Sequence, residues 1–178
     1  MFLHELDWRR NVTDVTVHHR DEAPRVNQPV LSAMTTQQDW CTVQLYSPSV
    51  VKMEGKYRMW YVGNPRATRL DDLSLGYAES DDGICWIEHD GNPILTSADL
   101  PFGTSWQTPR VLFDTARGVF KMWFVSGGSE RDANDKPTIR RQYLGYAESR
   151  DGFSWEIHPE PIYPSGRGPC ILTGEGGG

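Results

Sequence analysis

The sequence predicts an all-β chain organised as β-propeller blades, and three observations carry that prediction. A cassette is written twice. Tyr57-Arg58-Met59-Trp60-Tyr61-Val62, then Leu75-Gly76-Tyr77-Ala78-Glu79-Ser80, then Asp82-Gly83 and Trp86, return as Phe120-Lys121-Met122-Trp123-Phe124-Val125, Leu144-Gly145-Tyr146-Ala147-Glu148-Ser149, Asp151-Gly152 and Trp155. The copies lie about 60–70 residues apart, a period of short strands that suits propeller blades or another β array. The composition agrees: seven Trp, seven Tyr, 17 Gly and 12 Pro in 178 residues favour many short strands joined by turns.

Taken in order, Asn27-Gln28-Pro29-Val30-Leu31 matches the Pro-hydrophobic step that closes each cassette. Residues 1–38 are therefore expected to hold the outer strand of a preceding blade and a lead-in. Residues 39–104 and 105–164 are expected to form two complete four-stranded blades, and residues 165–178 to begin a third. Each complete blade opens with an inner strand, Ser47-Pro48-Ser49-Val50-Val51 or Thr108-Pro109-Arg110-Val111-Leu112, and Gly168-Pro169-Cys170-Ile171-Leu172 offers a third instance. The second strand, Tyr57–Val62 or Phe120–Val125, is apolar on both faces, as in a strand sandwiched between sheets. The third strand is lopsided. Leu75, Tyr77 and Glu79 make a bulky face and Gly76, Ala78 and Ser80 a small one, a split repeated at Leu144–Ser149. Asp82-Gly83 and Asp151-Gly152 read as type I′ hairpin turns, which need positive φ at both central residues. The outer strand starts at Trp86 or Trp155 and ends at Asn92-Pro93-Ile94-Leu95 or Glu160-Pro161-Ile162-Tyr163, where proline fits an edge. A propeller protects its strand edges by closing a ring. This set of blades is expected either to be part of a longer chain or to self-associate through open blade edges.

The formal net charge of −6 argues against nucleic acid or an anionic membrane as the main partner and leaves a neutral polar ligand open. Cys41, Cys85 and Cys170 have no close spacing, so neither a zinc cluster nor a disulfide framework is expected. Cys85 and Cys170 read as buried or half-buried fillers, and a reducing, cytoplasmic compartment is expected. No basic segment followed by an apolar one marks Met1–Asp7 as a signal peptide, and no apolar run reaches membrane-spanning length. His18-His19 would point to opposite faces of a strand, and His89 and His158 recur in the outer strands, so no metal site is expected. No cofactor motif, P-loop or Ser–His–Asp pattern is present.

The stretches Gly55–Val62, Gly76–Trp86 and Asn92–Leu95, with Gly118–Val125, Gly145–Trp155 and Pro161–Tyr163, resemble the five-bladed propeller glycoside hydrolases, families 43, 32 and 130 in particular. The resemblance spans about residues 27–172. The Ser-x-Asp-Gly-x-x-Trp turn also resembles the Asp-box of sialidases, one residue shorter. The resemblance implies five blades, a carbohydrate ligand in the central funnel, and hydrolysis or phosphorolysis of a glycosidic bond by carboxyl groups. For families 43 and 32 it implies aspartates immediately before the inner-strand proline in two blades, and a glutamate from the third. The matching positions here are Ser47, Thr108 and Gly168, none a carboxylate. Thr108-Pro109-Arg110-Val111 resembles the Asp-Pro-Arg-hydrophobic strand of family 130, which implies Arg110 as a donor to an anion or hydroxyl.

Among carboxylates, Asp39 stands just upstream of the first inner strand beside Trp40, a pairing suited to sugar, with the indole on the pyranose face and the carboxylate on its hydroxyls. Asp39 is the acid/base candidate, against a plain turn aspartate beside a core tryptophan. Trp40, Trp106, Gln107, Arg110 and Arg167 are the candidate substrate contacts, each weighed against a core or solvated role. Glu79 and Glu148 recur at one cassette position and read as scaffold, because a catalytic pair is asymmetric. A non-catalytic glycan-binding or scaffold propeller, or an inactive fragment of one, is the alternative reading.

Overall fold

The structure, a computed structural model, describes residues 29–66, 73–131, 133–134 and 137–162. His18-His19, Arg167 and Gly168–Leu172 lie outside the described residues. All elements below belong to the compact unit that begins at Leu31. They form two four-stranded antiparallel sheets, each in simple meander order. The first holds β1 (Gln44–Met53), β2 (Lys56–Asn64), β3 (Ser74–Ser80) and β4 (Ile87–Glu88). The second holds β5 (Ser105–Asp114), β6 (Val119–Arg131), β7 (Pro137–Ser149) and β8 (Glu156–Ile157). Cassette positions keep their register: Trp60 stands opposite Ser49 and Tyr77, and Trp123 opposite Arg110 and Tyr146.

Glu54 and Gly55 both take positive φ, 53° and 82°, and close β1 onto β2 as a two-residue hairpin. The Asp-Gly steps are not the predicted tight turns. β3 ends at Ser80 and β4 begins at Ile87, and only Gly83 (75°) and Gly152 (91°) take positive φ. The reason is the number of backbone donors to be satisfied. Asp82 Oδ1 accepts the N–H groups of Ile84 (2.8 Å) and Cys85 (2.7 Å), and Asp151 Oδ1 those of Phe153 (2.9 Å) and Ser154 (2.7 Å). Ser80 and Ser149 accept the glycine N–H at 2.9 and 2.8 Å, and the Trp86 and Trp155 indoles each donate back to the glycine carbonyl at 3.0 Å. The Ser, Asp, Gly and Trp of the cassette thus form one self-satisfied turn. Cys85, expected to be a buried or half-buried filler, is exposed instead, because this turn holds its backbone at the tip.

The backbone N–H groups of Cys85 and Ile84 hold the Asp82 carboxyl down at about 2, against an ordinary 3.8. A depressed folded-state value means that the charged form stabilises the fold. That contribution is complete above 3.8 and is lost as pH falls through about 2. Asp82→Asn is therefore expected to lower the urea midpoint near neutral pH and to converge on the parent at the acid end. A midpoint difference that stays constant down to pH 2 would exclude charge as its origin.

The two sheets stack bulky face on small face. Trp60, Val62, Leu75 and Tyr77 of the first pack against Phe120, Met122, Phe124 and Ala147 of the second in one buried cluster. The seam is also hydrogen-bonded. Trp60 Nε1 donates to Gly152 O at 2.6 Å, and the Val111 N–H donates to Ser49 Oγ at 2.9 Å. On its other, small face the first sheet carries Met59, Tyr61 and Ala78 under Leu31, Trp40, Leu45 and Trp86. The bulky face of the second sheet is left partly open: Trp123, Val125, Leu144 and Tyr146 are half-buried, and Leu112 is 62% exposed.

Candidate functional site

Both inner strands break their register at the same place. β1 shifts between Tyr46 and Ser49, and β5 between Gln107 and Arg110. The extra residues are Ser47-Pro48 and Thr108-Pro109. Proline has no N–H to orphan, so a bulge here leaves no backbone donor unpaired at that residue. Ser47 and Thr108 sit at φ 53° and 43°, in the left-handed region that non-glycine residues avoid. Such positions cost roughly 1–3 kcal/mol and persist only where the surrounding structure over-determines them, often at functional sites. These are the positions singled out by the Pro-anchored motif. They carry hydroxyls.

Around them the predicted residues separate into two groups. Asp39 opens a short 3-10 helix, Asp39–Cys41, just before β1. Its side chain is exposed, and its carbonyl accepts the Thr42 hydroxyl at 3.5 Å. Cys41 is buried beneath it, which fixes the backbone while the carboxylate faces solvent. Arg110 is exposed on β5 and donates to Pro109 O at 3.3 Å. It takes the place that Ser49 holds in β1, where the smaller side chain is buried and accepts the Val111 N–H across the seam. Gln107 is half-buried. Its amide lies 2.7 Å from where a Cβ on Gly127 would stand, and its Oε1 accepts from Gln142 Nε2 at 3.4 Å.

The two tryptophans proposed to stack on sugar do structural work. Trp106 is fully buried, donates its N–H to Thr96 O at 2.7 Å, and packs 4.4 Å from the Phe124 ring. Trp40 is half-buried, donates to Gln38 Oε1 at 2.7 Å, and lies on Gly63, Gly76 and the Tyr61 ring. Each wedges against the cassette aromatic at Tyr61 or Phe124. The strand-3 glycines therefore accommodate single indole or phenyl rings more than a neighbouring sheet. Arg167 lies outside the described residues.

Glu79 and Glu148 are held as scaffold. Tyr77 Oη donates to Glu79 at 2.6 Å and Tyr146 Oη to Glu148 at 2.5 Å. Arg117 grips Glu148 through two bonds, 2.6 and 2.8 Å, and holds its carboxyl below the usual range. Burial, then the bond to Glu88, pushes the Tyr61 phenol far above its ordinary value and keeps it a neutral donor.

Sequence reading missed a cavity of about 570 Å3 at the other end of the strands, beside the seam between the sheets, lined among others by Tyr77, Glu79, His89 and Phe153. The available signal was one of the positions at which the cassette copies differ, where Ile84 in the first becomes the aromatic Phe153 in the second.

No family model matches the chain. An uncharacterized protein of Mycobacterium tuberculosis is 32% identical over 111 residues, 61% of this chain and 32% of the relative. A second strain's uncharacterized protein gives the same figures. The chain thus spans about a third of the length of the curated relatives it matches. Among solved structures, a family 117 glycoside hydrolase of Zobellia galactanivorans superposes with a TM-score of 0.54 at 17% identity, over 75% of this chain and 37% of that one. A structure from the family 130 mannoside phosphorylases, reported to contain hydrolases of β-1,2 mannosidic linkages, gives 0.54 at 21%, over 79% and 40%. The family 32 β-fructofuranosidase of Bombyx mori gives 0.50 at 18%, over 64% and 22%. Over the matched residues the chain shares its fold with these glycoside hydrolases.

Proposed function

We propose, from the fold shared with the propeller glycoside hydrolases, that this chain belongs to a carbohydrate-active five-bladed propeller that hydrolyses or phosphorolyses glycosidic bonds at its central funnel. In this reading residues 39–104 and 105–164 are whole blades, residues 1–38 and 165–178 are parts of their neighbours, and the half-exposed Trp123–Tyr146 face seats the next sheet. The observation that carries the reading is the pair of proline-anchored bulges, with Ser47 and Thr108 held in left-handed backbone at equivalent points of β1 and β5.

Glycoside cleavage needs one carboxyl group to protonate the leaving oxygen and a second to act as nucleophile or base. Phosphorolysis lets phosphate replace the second. Asp39, exposed on an anchored turn, would supply the proton. Arg110 and Gln107 would hold substrate hydroxyls or phosphate, with Arg167 as a further donor. Trp40 would orient Asp39 from below, and Trp106 would support β5. Turnover of aryl glycosides by the full-length protein, with and without phosphate, tests the reading. Asp39→Asn is expected to cost 100-fold or more, about the share of a general acid, and unchanged turnover would remove Asp39 from that role.

The hydroxyls at Ser47 and Thr108 favour a second reading, a non-catalytic glycan-binding or scaffold propeller. Calorimetry with an oligosaccharide panel separates the two: binding without turnover supports the second reading, and turnover defeats it.

A further inference from the structure

The outer-seam cavity is built from both sheets. From the first come Lys56, Tyr77, Glu79, His89 and Asp90; from the second comes the turn residue Phe153. Its volume falls within the roughly 300–1,000 Å3 of small-molecule pockets. The strand register sets it apart from the bulges. Ser47 lies toward the Gln44↔Asn64 end of the first sheet, whereas Lys56 and Ser80 lie at the opposite end, where Met53 pairs with Lys56 and Tyr57 with Ser80.

The floor of the cavity is aromatic. Phe153, 38% exposed, stacks on His89 with ring centres 5.2 Å apart and 29° between planes, and its ring stands 6.0 Å from that of buried Tyr77. His89 Nδ1 accepts the Gly91 N–H at 2.9 Å, which puts the proton of the neutral ring on Nε2, a donor. The walls are mostly acceptors. Glu79 takes the Tyr77 hydroxyl on Oε1 and Lys56, at 3.5 Å, on Oε2, and Tyr77 is the main cause holding its carboxyl below the usual range. Glu79 is therefore ionised and already paired with a cation. Asp90 is exposed at the rim. The lining carboxylates Glu79, Asp81, Asp82, Glu88 and Asp90 outnumber Lys56, and acceptors in that number beside an aromatic platform and a few N–H donors suit a ligand with one apolar C–H face and many hydroxyls.

We propose that this seam is a glycan-binding subsite, separate from the funnel, that takes one or two neutral sugar units stacked on Phe153 with hydroxyls on Glu79 and Asp90. The choice of a glycan rests on the carbohydrate reading above; the location rests on the cavity alone.

Calorimetry and saturation-transfer NMR of the 178-residue chain with sucrose, xylobiose, cellobiose and β-1,2-mannobiose, each up to about 10 mM, test it. At least one is expected to bind saturably. Phe153→Ala should weaken it about tenfold. Phe153→Leu, which keeps apolar volume and removes the ring, should lose most of the affinity while its urea midpoint stays near the parent's. Asp90→Ala should weaken binding several-fold, and Asp39→Asn should leave it unchanged. The proposal is overturned if no disaccharide binds, if choline binds while the sugars do not, or if the Phe153 and Asp90 variants bind like the parent. Turnover lost in Asp39→Asn with seam binding intact, or the reverse, shows which of the two sites has failed.

Discussion

Trp60→Ala is expected to cost the chain about 4 kcal/mol, whereas Trp123→Ala, at the same cassette position, should cost about 1 kcal/mol or less. Trp60 is fully buried among Tyr77, Phe120 and Trp155, with ring centres 5.3 to 6.1 Å away. Its indole N–H is the donor that reaches Gly152 O across the seam. Truncation would empty a large volume between the two sheets and remove the shorter of the two indole hydrogen bonds to the Gly152 carbonyl, leaving that from Trp155. Trp123 packs on Tyr146 alone among the described ring pairs and is half-exposed, so truncation strips little that is closed from water. Urea unfolding followed by far-UV circular dichroism checks both. Equal costs at the two positions would show that the second sheet's face is covered in solution. Trp60→Phe should fall between the two, since it keeps ring volume and drops the seam hydrogen bond.

Gly76→Ala is expected to cost about 3 kcal/mol, against the gain of roughly 0.5–1 kcal/mol that alanine ordinarily brings over glycine inside a strand. A Cβ at Gly76 would stand 2.5 and 2.6 Å from two Trp40 ring carbons and 2.8 Å from the Tyr61 ring. Trp40 cannot slide away. Its N–H is held by Gln38, and Cζ3 of the same benzo ring sits 2.5 Å from where a Gly63 Cβ would be. The double variant Gly76→Ala with Trp40→Leu should therefore cost less than the sum of its two single variants, because the second change opens the space the first requires. Strict additivity in thermal or urea unfolding would mean that the indole does not lie on Gly76.

Much of the scaffold is legible in the residues because it is local. Alternation along Tyr57–Val62 and Leu75–Ser80 places side chains by strand geometry alone, and the strands appear where the repeat puts them. The bulky and small faces of the third strand also stack as their sizes suggest. The Asp-Gly turns depart from dipeptide preference because it omits the neighbours: Ser80 and Trp86 turn a tight hairpin into a longer loop in which Asp82 gathers N–H groups. The candidate site is harder to read. Nothing local distinguishes Asp39, whose carboxylate is exposed, from the adjacent Trp40, whose ring is wedged onto glycines more than twenty positions away.

The sequence by itself determined the all-β class, the doubled four-strand unit, the faces of the strands and the place of the inner-strand prolines. Each depends on backbone periodicity and on residues close along the chain. The tertiary structure alone decided that Trp106 is core, that Ser49 bridges β1 and β5 while Arg110 faces solvent, that Ser47 and Thr108 adopt left-handed backbone, and that a cavity opens beside Phe153. Burial and hydrogen bonding at those positions are set by groups remote in sequence. The same cassette tryptophan is sealed in one sheet and half-open in the next because a neighbouring sheet covers one and none among the described residues covers the other.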